Sequence, residues 1–165
     1  MLVGARVLDA EGVAGEDLSD PRIKAAVLLA VRGTGGADLT PFAAENFSFM
    51  NPGFAEMTAP ALVVAGDKDQ SFLTVRGPEW FTDAYFLSPR AKSLLTLFGA
   101  DHSLGGISGY TVTETTDESP ERVALIQRLS WAFLRSSLYP ADPSWSAASA
   151  ELAQSTDPLG RIESK

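Results

Sequence analysis

Ala61-Leu62-Val63-Val64-Ala65-Gly66-Asp67-Lys68-Asp69 and Lys92-Ser93-Leu94-Leu95-Thr96-Leu97-Phe98-Gly99-Ala100-Asp101-His102-Ser103 share one plan. Each is a short, mostly apolar run that stops on a glycine and then on polar groups. Runs of this kind read as strands buried on both faces of a parallel sheet. In an open parallel sheet, ligands and catalytic groups gather just beyond the carboxyl ends of the strands, which is where Asp69 and His102 fall. His102 is the one histidine of the chain.

Working outward, residues 23–31, from Ile23 to Val31, are nearly continuously apolar and read as a further buried strand. The glycine-rich Arg32-Gly33-Thr34-Gly35-Gly36 at its carboxyl end has the composition of a phosphate cradle, but its spacing fits neither the dinucleotide nor the Walker pattern. A plain flexible turn accounts for it. Residues 39–49 read as a short helix or packed loop carrying Phe42, Phe47 and Phe49. Pro78 and Glu79 open a helix expected to run to about Leu87, with proline in the first turn and the acid at the positive end. Ser119-Pro120 is a strong helix start, and Val123, Ile126, Leu129 and Phe133 fall at three- and four-residue steps out to about Leu138. Residues 9–21 read as loop. The acidic Glu114, Asp117 and Glu118 have no metal-ligand spacing and read as a solvated loop. Residues 1–7 look like the tail of a helix already under way. The alternation of strands and helices predicts an α/β fold with roughly three parallel strands, flanking helices and a long C-terminal helix.

At 165 residues, with 45% apolar residues, the chain has the size and composition of one domain with a core. A net charge of −8 argues against nucleic acid or an anionic membrane surface as partner, because both would repel it. The absence of cysteine excludes disulfides, zinc thiolates and thiol nucleophiles. No apolar run approaches the ~20 residues that cross a bilayer. Calcium held by Asp67 and Asp69 is disfavoured because the loop lacks the glycine and distal glutamate of such sites. No cofactor motif is present.

A histidine after one strand and an aspartate after its neighbour can meet across the end of a parallel sheet. There the carboxylate fixes the imidazole tautomer and stabilises the imidazolium, as the base-and-orienter half of a catalytic triad does. With these residues the chain resembles the α/β-hydrolase family, whose triad runs nucleophile, acid, histidine in chain order. The acid strand and turn of that family look like residues 60–69, and its histidine loop looks like residues 98–106. Trp80, the Asp83-Ala84-Tyr85 run and the stretch to Tyr110 look like the chlorophyllase and dienelactone-hydrolase-like branch. The resemblance covers residues 1–140 and leaves 141–165 as a Ser-, Ala- and Pro-rich tail with at most a weak helical turn near 147–154. It implies that His102 is the general base, that Asp69 at the end of the Gly-x-x-Asp turn is the acid, and that Asp67 caps that turn. Phe42, Phe72 and Trp80 are candidates for a pocket wall or for core.

The nucleophile elbow G-x-S-x-G of that family occurs nowhere in the sequence. Gly106-Ile107-Ser108-Gly109-Tyr110 comes nearest, but it lacks the final glycine and follows the histidine, so Ser108 is not a candidate nucleophile. The resemblance therefore implies the C-terminal portion of a hydrolase, with residues 1–7 as the end of the helix after the elbow and the serine upstream of Met1. Its substrate would be a small-molecule ester once that serine is supplied. The other expectation is a non-catalytic binding or assembly module. It would associate through the exposed edge of the 23–31 strand, either as a homodimer or with an N-terminal half.

Overall fold

The computed structural model describes residues 1–47, 49–89, 91–107 and 115–165. In chain order these form β1 (Arg6–Val7), β2 (Ala26–Leu29), α1 (Pro41–Asn46), β3 (Pro52–Gly53), β4 (Ala61–Gly66), a 3-10 turn (Pro78–Thr82) that runs into α2 (Asp83–Phe86), β5 (Lys92–Leu97), α3 (Pro120–Leu138), α4 (Ser144–Ala153) and β6 (Gly160–Ser164), with a further 3-10 turn at Gly36–Asp38. The main sheet has the order β2-β4-β5-β6. Strands β2, β4 and β5 run parallel, and β6 lies antiparallel to β5.

The central strand β4 is buried at every position, and the strand period of two divides its side chains between two cores. Leu62 and Val64 join Leu95 and Leu97 under Leu125, Ile126, Leu129 and Phe133 of α3. Val63 and Ala65 join Leu94 on the opposite face, under Met57, Trp80, Phe81 and Tyr85. Burying each such aliphatic side chain contributes about 1.5–3 kcal/mol. Both faces being covered is why β4 reads as a continuous apolar run instead of an alternating one. Helix α3 begins as its sequence predicts, with the Ser119 hydroxyl accepting from the Arg122 N–H and proline in the first turn. Among the described residues, no helix is long and apolar enough to cross a membrane.

Four expectations are corrected. Residues 1–7 are not the end of a helix: Gly4 takes a left-handed φ of 101°, and a Cβ there would lie 2.4 Å from the Glu56 carbonyl oxygen. The chain then enters β1, which pairs antiparallel with β3 through Arg6 with Gly53 and Val7 with Pro52. Residues 141–165 are not a lightly structured tail. Helix α4 packs on α3, with Trp145 edge-on to Phe133 at 5.2 Å and Ala148 and Leu152 inside the first core. Strand β6 then adds a fourth, antiparallel strand, with Leu95 opposite Ile162 and Leu97 opposite Gly160. Its signal is weak because an edge strand with one wet face keeps only alternate residues apolar, here Ile162 between Arg161 and Glu163. The helix expected from Pro78 to Leu87 is a 3-10 turn of five residues followed by four α-helical ones. It tightens where Trp80 and Phe81 are driven fully into the core. Asp117 of the acidic loop is not solvated, since its side chain keeps only 9% of its exposure. Glu114, like Ser108, lies outside the described residues.

A chain ended at Pro140 loses Ala148, Leu152 and the whole outer partner of β5. Urea denaturation should show at least about 3 kcal/mol lost against the full chain, given large buried side chains worth 2–5 kcal/mol each, and size exclusion should show association through the bared β5 edge.

Candidate functional site

Strands β4 and β5 are paired in register so that Gly66 stands beside Leu97. Both strand ends therefore release their turns at the same rim. The acid turn lies directly on the histidine loop: the Asp67 N–H donates to the Leu97 carbonyl at 3.0 Å and the Lys68 N–H to that of Ala100 at 2.9 Å. Gly66 makes this approach possible, because a Cβ there would sit 2.2 Å from the Ala100 oxygen. Asp67 has the capping position expected of it, its Oδ1 accepting from the Gly99 N–H at 2.7 Å.

The next carboxylate is turned the other way. Asp69 is wholly buried, and its Oδ2 lies 3.0 Å from Nδ1 of His102, whose side chain is 64% exposed. A buried carboxylate against Nδ1 selects the tautomer that carries its proton there and leaves Nε2 to face a reacting group. The Phe81 ring sits 5.3 Å from the imidazole centroid and limits its swing. Oδ1 of Asp69 is buried with no hydrogen-bond partner among the described residues.

The hydrogen bond that His102 donates to Asp69 raises the His102 pKa above its ordinary value, partial burial opposes the rise, and the charges of Asp69 and Asp101 add to it. Two consequences follow in opposite senses. The stability gained from the imidazolium is full below the ordinary value of about 6.5 and is lost as pH rises through the higher folded-state value. Base catalysis needs the neutral ring and so gains over that same rise.

The histidine loop is held from behind by a residue that composition alone assigns to solvent. Oδ2 of Asp117 accepts from the N–H groups of Asp101 at 3.0 Å and Gly105 at 2.9 Å. Asp101 is occupied within the loop: its Oδ1 accepts from the Ser103 N–H at 3.0 Å and its other oxygen from the Thr116 hydroxyl. Leu104, fully buried, adopts a left-handed φ of 52°, and Gly105 and Gly106 follow with φ of 85° and 97°. This succession turns the chain back toward α3.

A cavity of about 390 Å³ opens beside His102, walled by Phe72, Trp80, Phe81, Met50 and Arg32. Phe72 and Trp80 thus line it, whereas Phe42 does not and instead packs on Phe72 at 6.2 Å between centroids. Ser71 supplies a hydroxyl to the lining, but that oxygen accepts from the Leu73 N–H and no hydrogen bond joins it to His102. Among the described residues, no three His, Asp or Glu side chains converge as a metal site.

The glycine-rich loop after β2 has no backbone donors to spare for a phosphate along Thr34 and Gly35. The Thr34 N–H donates to Asp83 at 2.9 Å and the Gly35 N–H to Asn51 at 3.1 Å. Nor is the loop a free turn. A Cβ at Gly33 would lie 2.2 Å from the Trp80 carbonyl oxygen, Trp80 Nε1 donates to the Thr34 carbonyl at 2.7 Å, and the Asp83 carboxylate that holds Thr34 is itself clasped by both Arg76 nitrogens at 2.8 and 3.0 Å. Asp117 and the tie from Asp83 to Thr34 escape sequence reasoning, because their partners lie at a distance along the chain.

Compared with protein-family models, with curated proteins and with solved structures, the chain matches none.

The Asp69 contact is open to direct measurement. Asp69→Asn removes the charge that favours the imidazolium, so the His102 pKa read by a proton–nitrogen NMR titration should fall below its ordinary value. A titration identical to that of the parent chain would mean that the two groups do not meet in solution.

Proposed function

We propose that this chain carries the base and acid of a serine carboxylic-ester hydrolase, as a C-terminal portion of an α/β-hydrolase fold. The observation that carries the reading is the wholly buried Asp69 carboxylate 3.0 Å from His102 Nδ1 at the carboxyl rim of a parallel pair. In this role His102 Nε2 takes the proton of a serine hydroxyl as it adds to the ester carbonyl, then returns that proton to the departing alcohol. Water cleaves the acyl-enzyme by the same exchange. Asp69 holds the ring and balances its charge. The serine is absent from any G-x-S-x-G of this sequence, and the open edge of β2, the outermost parallel strand, is where a strand bearing it would lie.

Alone, the chain is therefore expected to hydrolyse p-nitrophenyl butyrate hardly above free imidazole. Complemented with a strand, G-x-S-x-G and helix half, it should gain hydrolysis that His102→Ala or Asp69→Ala lowers by about a thousandfold or more, while Asp67→Ala costs far less. Fast, serine-reagent-sensitive turnover by the chain alone, or complemented turnover indifferent to His102→Ala, would sink the reading.

One observation favours a second reading, a non-catalytic assembly module. The N–H groups of Ala26 and Ala30 point inward to Pro60 and Val64, so the alternation of a strand turns those of Val27 and Leu29 toward the open side, beside a Leu29 side chain that is 41% exposed. Such an edge recruits a strand from a second copy or from an N-terminal half. Light scattering should then show a dimer whose Val27 and Leu29 amides are slow to exchange. A stable monomer with those amides exchanging freely counts against this module.

A further inference from the structure

We propose that Arg32 selects the substrate of the His102 cavity, by binding an oxyanion on an ester whose apolar limb lies along Met50 and Phe49; this rests on reading His102 as the catalytic base. Arg32 lines the His102 cavity and also an adjoining one of about 360 Å³ walled by Met50, Phe49, Pro52 and Phe54. The two share Val31, Arg32 and Met50 in their walls, and we take them as one trough with the cation at its middle.

The guanidinium is uncommitted among the described residues. Every other arginine among the described residues engages a carboxylate, whereas Arg32 has no hydrogen bond or ion pair among them. That is unusual in a chain with 21 acidic and 13 basic side chains, where a carboxylate is the easiest partner to find. No carboxylate lines either cavity among the described residues, so an anion entering the trough meets a cation in the wall, while the Asp69 carboxylate stands behind the His102 ring. Gln70 and Ser71, on the same wall as His102, add neutral donors. A planar guanidinium fork matches carboxylate and phosphate oxygens in pairs.

Its backbone is also set in place. Ala30 leaves β2 with a left-handed φ of 43°, and its N–H is held by Val64 at 2.9 Å. On the other side Gly33 is wedged against Trp80 and Asp83. Arg32 is therefore presented from a fixed bend, on the trough that His102 shares, instead of from a free loop. A substrate gripped there by its charge extends one way past Phe72 and Phe81 to the imidazole and the other way over Phe49 toward Phe54.

The test is equilibrium binding to the full chain, which needs no turnover. Octanoate, octyl phosphate and neutral octanamide are titrated while the Arg32 Nε–H and His102 ring signals are followed by NMR. Both anions should bind about tenfold more tightly than octanamide, moving both signals, and the preference should shrink with added salt because the guanidinium is exposed. Arg32→Gln should abolish the preference without weakening octanamide, and Arg32→Lys should keep part of it. Tighter binding of octyl phosphate than of octanoate would identify a phosphate group, and the reverse a carboxylate. Equal affinity for the three, a preference that survives Arg32→Gln, or an Arg32 signal moved by none of them overturns the proposal. The anion preference is read without turnover and the triad reading by hydrolysis after complementation, so failure of the one and failure of the other give different results.

Discussion

Gly66 has no side chain, and the Ala100 carbonyl occupies the space where one would be. On that contact the site depends. Strands β4 and β5 leave the sheet level with each other, the acid turn lies on the histidine loop, and the next carboxylate that can turn back toward the sheet is Asp69. A slip of one residue in the register would reverse the facing of every side chain beyond it. Both cores would then be lost, so the packing of Leu62, Val64, Leu95 and Leu97 beneath α3 fixes the register and, through it, the meeting of the imidazole and carboxylate.

Burial gives that meeting its chemical meaning. A carboxylate taken out of water costs free energy unless it is paired, and among the described residues Asp69 has one of its oxygens engaged, by His102. The His102 ring, mostly exposed, relieves that cost best as an imidazolium, and its raised pKa expresses the same coupling from the other partner. A structural ion pair can behave in this way too. What favours a catalytic role is its place, at the carboxyl rim of parallel strands beside a trough lined by Phe72, Trp80 and Phe81.

The supports of the site are distributed along the chain. Asp117 holds the histidine loop from the start of α3, and Arg76 fixes the bend after β2 by clasping Asp83, which in turn holds Thr34. Strand β6 and helix α4 complete the sheet and the core on the side away from the cavity. Asp117 reaches back to Asp101 and Gly105, Asp83 to Thr34, and β6 to β5, which explains why a loop of acids reads as solvated and a tail of Ser, Ala and Pro reads as loose.

The sequence by itself determined the three parallel strands, helix α3 with its Ser119 cap, and the placing of Asp69 and His102 just past neighbouring strand ends. Continuous apolar runs, a capping pair and polar residues just past strand ends are local signals of forces that act within a few residues. Which of the two turn acids faces the histidine was legible only by resemblance. Tertiary structure decided the fate of residues 1–7, the fourth strand, the burial of Asp117 and the place of Arg32 in the wall of the His102 cavity. In each of these the outcome depends on which distant backbone or carboxylate occupies the neighbouring space, and no local pattern of residues carries that information.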